Sequence, residues 1–167
     1  MAKKPILIHK KGTRGRKSPS TLYWEEKFLG KLKKIHGTHF RGAFHKIMKK
    51  ASSTKSSLKR RSAEFEVLFD LELNDIKRMI LKAYGNGCRY CGNELVHRNM
   101  AFDHKEAISS GGPSTKANLH IICRRCNTRK GPMSHEDYSK FLNLISSLDS
   151  ESIAYIFRKL ASREVFS

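Results

Sequence analysis

The sequence predicts a mixed α+β protein, and three observations carry that prediction. Apolar residues recur at helical spacing in five separate stretches, residues 64–67 alternate polar and apolar as a short strand does, and two C-x-x-C pairs are placed to be drawn together by one metal ion. Residues 1–20 lack apolar periodicity and carry glycines, prolines and lysines, which predicts a flexible basic arm. From Thr21 the pattern turns helical: Trp24, Phe28, Leu32 and Ile35 share a face, Lys31, Lys33 and Lys34 fill the gaps, and Gly37 breaks the run. A second amphipathic stretch follows, with Phe40, Phe44, Ile47 and Met48 against Arg41, Lys46, Lys49 and Lys50. Residues 52–57 read as a linker or helix start leading to Lys59, Arg60 and Arg61.

Beyond the short strand, Asn74 offers an N-cap to a helix whose buried stripe is Ile76, Met79, Ile80, Ala83 and Tyr84, with Gly85 or Gly87 as its stop. Ser134 is placed to cap a helix bearing Tyr138, Phe141, Leu142 and Ile145. Ser150 starts another with Ile153, Ile156, Phe157 and Leu160. These stripes read as core. The expected organisation is an arm (1–20), a basic helical extension (21–62), a core domain (63–134) and C-terminal helices packing on it (135–167), with no internal repeat.

The chain carries 34 Lys and Arg against 15 Asp and Glu, a net charge of +19, and the excess is unevenly placed. Residues 1–62 hold 19 basic residues and two acids, Glu25 and Glu26, so nearly all of the imbalance lies in the first third. Such a density attracts a polyanion over a Debye length of about 8–10 Å, and nucleic acid is the commonest such partner. Arg14, Arg16, Lys17, Lys59, Arg60 and Arg61 are the candidate phosphate contacts, joined downstream by Arg124, Arg125 and Arg129. With 38% hydrophobic residues the chain has material for a core, which excludes a wholly disordered polycation. No apolar run is long enough for a membrane span, and the one near Ile6–Ile8 is too short for a signal peptide, so an intracellular, cytoplasmic protein with no membrane partner is expected.

In a reducing compartment the four cysteines are expected as metal ligands rather than disulfides. Cys88 and Cys91 form one pair and Cys123 and Cys126 the other, and two such knuckles close a tetrahedral site that stabilises all four thiolates on zinc. Four protein ligands fill the coordination sphere, so this Zn²⁺ is expected to be structural. Four unrelated core cysteines would leave the matched spacing and the flanking Gly87 and Gly92 unexplained, and a redox pair needs only one C-x-x-C.

Between and after the pairs stand Asp103 and His104, Ser110 before Gly111 and Gly112, Asn118 and Leu119, and finally Asn127 and Lys130–Gly131 behind the last cysteine. In this order they resemble the HNH endonucleases of the ββα-metal superfamily, in the zinc-bearing form found in many phage and mobile-element enzymes. The resemblance covers about residues 87–133, weakly from Phe69, and leaves residues 1–60 uncovered. It implies a hairpin near residues 100–104 and 118–123 clamped against a short helix carrying Asn127. His104 would be the general base, Asp103 and Asn127 the ligands of a catalytic Mg²⁺ or Mn²⁺, Asn118 the brace of the loop after His104, and Lys130 the lysine of the closing motif. Lys105 and Ala107 depart from the family's usual apolar residue and proline, and Asn127 stands where many members have histidine. Hard oxygen ligands suit Mg²⁺, and an imidazole near pKa 6.5 is a ready base at neutral pH. Neighbouring strand residues point to opposite faces, so Asp103 and His104 meet in one site only where the backbone turns at the strand end. His120, on the same strand face as Asn118, reads as a plain strand histidine.

The resemblance implies a metal-dependent nuclease acting on nucleic acid, DNA in preference to RNA, as a monomer or homodimer that nicks one strand per active site and leaves 5′-phosphate and 3′-hydroxyl ends. The alternative from another class is a non-catalytic zinc-ribbon protein that uses the same scaffold only to bind nucleic acid.

Overall fold

The computed structural model describes residues 19–162, with side chains over residues 25–160, so Arg14, Arg16 and Lys17 lie outside the described residues. Helical periodicity produces α1 (Pro19–His36) and, after a 3-10 turn at Gly37–His39, α2 (Phe40–Glu64). They bury Phe28, Leu32, Ala43, Ile47, Ala51 and Leu58. No break occurs at residues 52–57. The hydroxyls of Ser52, Ser53 and Ser56 donate back to the carbonyls of Met48, Lys50 and Ser52, which satisfies them within the helix while Ala51 and Leu58 continue its buried stripe.

α2 also runs through part of the expected strand at residues 64–67. The Phe65 and Val67 amides donate to the Arg61 and Ser62 carbonyls, and Glu66 takes a φ of +54°, so this stretch is a helix end and a turn. The strand is β1 (Phe69–Asp70), displaced toward the C-terminus. It pairs in parallel with β3 (Ser114–Thr115), with Phe69 opposite Ser114.

α3 (Leu73–Ala83) begins ahead of the expected Asn74 cap, because Asp75 Oδ2 accepts the Glu72 amide at 3.0 Å and closes the first turn from inside. Ile76, Ile80 and Tyr84 form its buried stripe, and the chain leaves the helix at Gly85. β2 (Met100–His104) and β4 (Leu119–Cys123) make the expected antiparallel hairpin, with Met100 opposite Cys123 and His104 opposite Leu119. α4 (Arg124–Lys130) follows without a gap. A lone hairpin is marginal in water. Here Met100, Leu119 and Ile122 share one core with α1, α2 and α3, so the basic helices and the cysteine-bearing half stabilise each other.

Ser134 caps α5 (His135–Ile145) as expected, accepting the Asp137 amide at 3.0 Å; α6 (Ser150–Ser162) is capped instead by Asp149, which accepts from Glu151 and Ser152. α5 and α6 form a second, smaller core around Tyr138, Ile145 and Phe157, joined to the first through Tyr90. No described helix is long and apolar enough to cross a membrane.

Candidate active site

The two cysteine pairs converge. All four Sγ atoms lie within 4.8 Å of one another, and Cys91 and Cys123 are 3.6 Å apart, close to the edge of about 3.8 Å that a tetrahedron with Zn–S bonds of about 2.3 Å requires. The first knuckle turns on glycines. Gly92 has a φ of +72°, and a Cβ on Gly87 would stand 2.9 Å from the Gly92 carbonyl oxygen. The Cys123 amide points at Cys88 Sγ and the Cys126 amide at Cys123 Sγ, each at 3.4 Å. Burial, reinforced at Cys126 by the other sulfurs, pushes the Cys123 and Cys126 thiols up, so four thiolates coexist here only around a cation. The four cysteines are positioned for a metal ion, and the geometry and donor set suit zinc. Among the described residues no other cluster of cysteines, histidines and carboxylates gathers this way.

At the opposite end the same hairpin delivers Asp103 and His104, both buried, where strict strand alternation would have exposed one of them. Lys130, only 1% exposed, explains the arrangement: its ammonium donates to Asp103 Oδ1 at 3.2 Å and to the His104 carbonyl at 2.9 Å, joining the side chain of one to the backbone of the next. His120, opposite Asp103 in the hairpin, completes the support with Nε2 2.7 Å from Asp103 Oδ2. Arg89 sits 3.3 Å from the other ring nitrogen of His120; a guanidinium only donates, so Nδ1 accepts and Nε2 carries the hydrogen given to Asp103.

His104 is bound through Nε2 to the Ser114 hydroxyl at 2.9 Å. Burial first, then the positive charges of Arg61 and Lys130, lower its pKa to about 4 despite the opposing pull of Asp103, so the imidazole is neutral at physiological pH. Asn118 braces the loop that follows. Its Oδ1 accepts the Glu106 amide at 2.9 Å and its Nδ2 donates to the Glu106 and Pro113 carbonyls. The loop is drawn so tight that a Cβ on Gly112 would run into the Glu106 carbonyl.

A cleft of about 310 Å³ opens beside these groups, lined among others by Arg61, Asp103, His104, Asn127 and Lys130. Asn127, on α4 directly behind Cys126, makes no side-chain hydrogen bond among the described residues, and Arg61 on α2 makes none and has no ion pair. One carboxylate with spare lone pairs, one uncommitted amide and room for water make a donor set that fits a hard divalent cation.

Residues 88–132, which contain both the cysteine cluster and most of the cleft, match the family model for HNH endonucleases. The chain carries an HNH endonuclease domain. No curated protein matches the chain. The HNH domain implies a nucleic-acid substrate, and its two sites stand at the two ends of one hairpin.

The structure brings Asp103, His104, Asn127 and Lys130 to one cleft and leaves Asn118 behind the loop it braces. Of the basic candidates among the described residues, Arg61 alone lines this cleft. Lys59, Arg124 and Arg125 are exposed elsewhere, Arg60 pairs with Glu64 at 3.7 Å, and Arg129 lays its guanidinium 4.0 Å from the Phe157 ring centre, joining α4 to α6. Sequence reasoning missed the support that His120 gives Asp103, though its register opposite Asp103 in the hairpin was available as a signal. Ser62 and Ser114, beside His104, carried no signal.

Proposed function

We propose that the protein is a metal-dependent endonuclease that hydrolyses phosphodiester bonds of DNA, one strand per active site, leaving 5′-phosphate and 3′-hydroxyl ends. The observation that carries this reading is a neutral imidazole, His104, in one cleft with Asp103, Asn127 and an unpaired Arg61. His104 takes the proton of the attacking water. Its low pKa keeps it unprotonated and ready at neutral pH. Lys130 and His120 hold the Asp103 carboxylate still, and the Lys130 ammonium, spent on Asp103 and the His104 carbonyl, serves position rather than substrate. Arg61 is the cation left to meet the phosphate. Asp103 and Asn127 would hold Mg²⁺ or Mn²⁺, which when bound supplies charge stabilisation for the phosphate and the leaving oxygen. Cys88, Cys91, Cys123 and Cys126 would hold Zn²⁺ as a structural ion. Lys59, Arg60, Arg124 and Arg125 grip the DNA backbone away from the cleft, and Arg14, Arg16 and Lys17 are assigned to the same backbone by their charge alone.

A zinc-ribbon protein that only binds has no use for a buried, neutral base beside a supported carboxylate. The test is nicking of supercoiled plasmid in Mg²⁺ or Mn²⁺. The wild-type protein is expected to nick, and His104→Ala to lose about 10²- to 10⁴-fold in rate while still binding DNA. Binding of DNA and RNA with no cleavage of either, across several divalent metals, would establish the non-catalytic alternative.

A further inference from the structure

We infer that a groove between the α1–α2 turn, α2 and the loop before β2 is a second phosphate site, which holds the backbone of the DNA duplex whose strand enters the cleft; this rests on the proposed cutting of DNA there. The groove, about 560 Å³ in volume, is lined by His36, Thr38, His39, Lys46, His97 and Arg98, with only Gly42 and Ala43 besides. None of these residues is acidic, and His39, Lys46 and Arg98 are exposed. An ammonium and a guanidinium beside the three imidazoles repel a cation, so the chemistry suits an anion and not a metal. Two of the rings are held from the core, because the buried Tyr84 hydroxyl lies 2.7 Å from His36 Nε2 and 3.3 Å from His97 Nδ1. Burial first, then Lys46, Arg98, His36 and Lys50, lower the His97 pKa, so the field in the groove is positive.

Helix α2 joins this groove to the cleft, and that makes the occupant a long polyanion rather than a single phosphate. Lys46 lines the groove and Arg61 the cleft, which at 1.5 Å per residue places them about 22 Å apart along the helix. Lys46, Lys50, Ser53, Ser57 and Arg61 follow one another at steps of three or four, so they share one face. Ser53 and Ser57 are short and exposed, and α2 carries no acid before Glu64, so the helix neither blocks nor repels a phosphate backbone laid along it. Burial and then the charge of Arg124 lower the Lys50 pKa, which adds the start of α4 to the same positive track. Each DNA strand carries one phosphate per 3.4 Å of axis, so a duplex along α2 meets the groove about 6–7 base pairs from the cleft. Two points of contact set the direction of the duplex as well as its affinity.

The test compares the full-length wild type with Lys46→Gln/Arg98→Gln and, as an equal loss of charge elsewhere, with Lys140→Gln/Arg158→Gln on α5 and α6. Both groove side chains are exposed, so bound zinc and the melting temperature should stay at their wild-type values. Binding to a fluorescent duplex of about 30 base pairs is followed by anisotropy from about 50 to 200 mM salt without added Mg²⁺, and plasmid nicking by steady-state kinetics with it. The groove variant is expected to flatten the slope of log affinity against log salt by about 1.8, two phosphates at about 0.9 each, so the wild type loses about tenfold more affinity over this range. Its KM should rise severalfold while kcat holds, because the groove touches no reacting group. On a hairpin with a stem of about 5 base pairs, roughly 17 Å and too short to span both sites, the two proteins should differ by less than about threefold. The control pair should move the slope by less than about 0.5. An unchanged slope in the groove variant, or an equal change in the control pair, would overturn the groove, whereas the cleft is judged separately by nicking of wild type against His104→Ala. An undiminished effect on the short stem would overturn joint occupancy with the cleft. A wild type that shows the groove's share of the slope yet nicks with no divalent metal would overturn the nuclease reading and leave the phosphate site standing.

Discussion

The two ends of the β2–β4 hairpin share a scaffold and differ in almost everything else. At the Met100–Cys123 end four sulfurs close on one another around a point, three of the cysteines buried and Cys91 half-buried. At the His104–Leu119 end, roughly 13 Å away along the strand, the groups are oxygens and a neutral imidazole facing an open cleft, and the Asn127 side chain has no hydrogen bond among the described residues. A single residue step, Cys126 to Asn127, joins the two. The contrast separates labour: a site whose ligands are all protein contributes stability, while a site that is to receive substrate must keep donor capacity unused and be held rigid from behind, here by Lys130, His120 and Asn118.

Breaking the sulfur end has the largest expected effect. Cys126→Ser or Cys88→Ser removes a zinc ligand, and because structural zinc contributes on the order of 10 kcal/mol, the hairpin and α4 should lose cooperative unfolding and bound zinc together, as read by thermal melting and metal analysis. Lys130→Met acts on the other end and comes next. It leaves Asp103 buried without its ammonium, so a loss of about 3–5 kcal/mol in denaturant titrations is expected, with zinc retained. A stability change under about 1 kcal/mol would show that the cleft is not held from behind as described.

His104 gives a smaller effect that depends on pH. Its folded pKa of about 4 lies below the value near 6.5 of an unfolded histidine, so between the two the unfolded chain binds more protons. Its contribution is complete above about pH 6.5 and declines as the pH falls toward 4. NMR titration should find the imidazole neutral at pH 5.5, and a midpoint near 6.5 would contradict its burial. Asn127→Ala has the smallest effect on stability, within about 0.5 kcal/mol, because no described partner is lost. It should nevertheless abolish most nicking, which sharpens the contrast with its neighbour Cys126.

The convergence of Cys88, Cys91, Cys123 and Cys126 was legible because their spacing encodes it, whereas the hairpin and the helix behind it were legible only through the resemblance to the HNH endonucleases. The strand at residues 64–67 was misread because alternation over so few residues is equally satisfied by the last turn of a helix, and the serines of residues 52–57 looked like a linker because their local hydrogen bonding is invisible in composition. Asn74 lost the cap to Glu72 and Asp75, a competition between adjacent polar residues that sequence leaves open. The contribution of α2 to the cleft, through Arg61, is a tertiary contact across the core, and no periodicity foretells it.

In the proposed division of labour one metal holds the fold and another does the chemistry. Metal analysis and plasmid nicking on the same sample test it most directly, after the protein has been washed free of weakly held divalent ions. Expected are one tightly held zinc per chain, an intact fold, no cleavage, and cleavage restored by Mg²⁺ or Mn²⁺ alone. A washed protein that holds no zinc yet stays folded, or one that cleaves fully with its zinc as the sole metal, would contradict it.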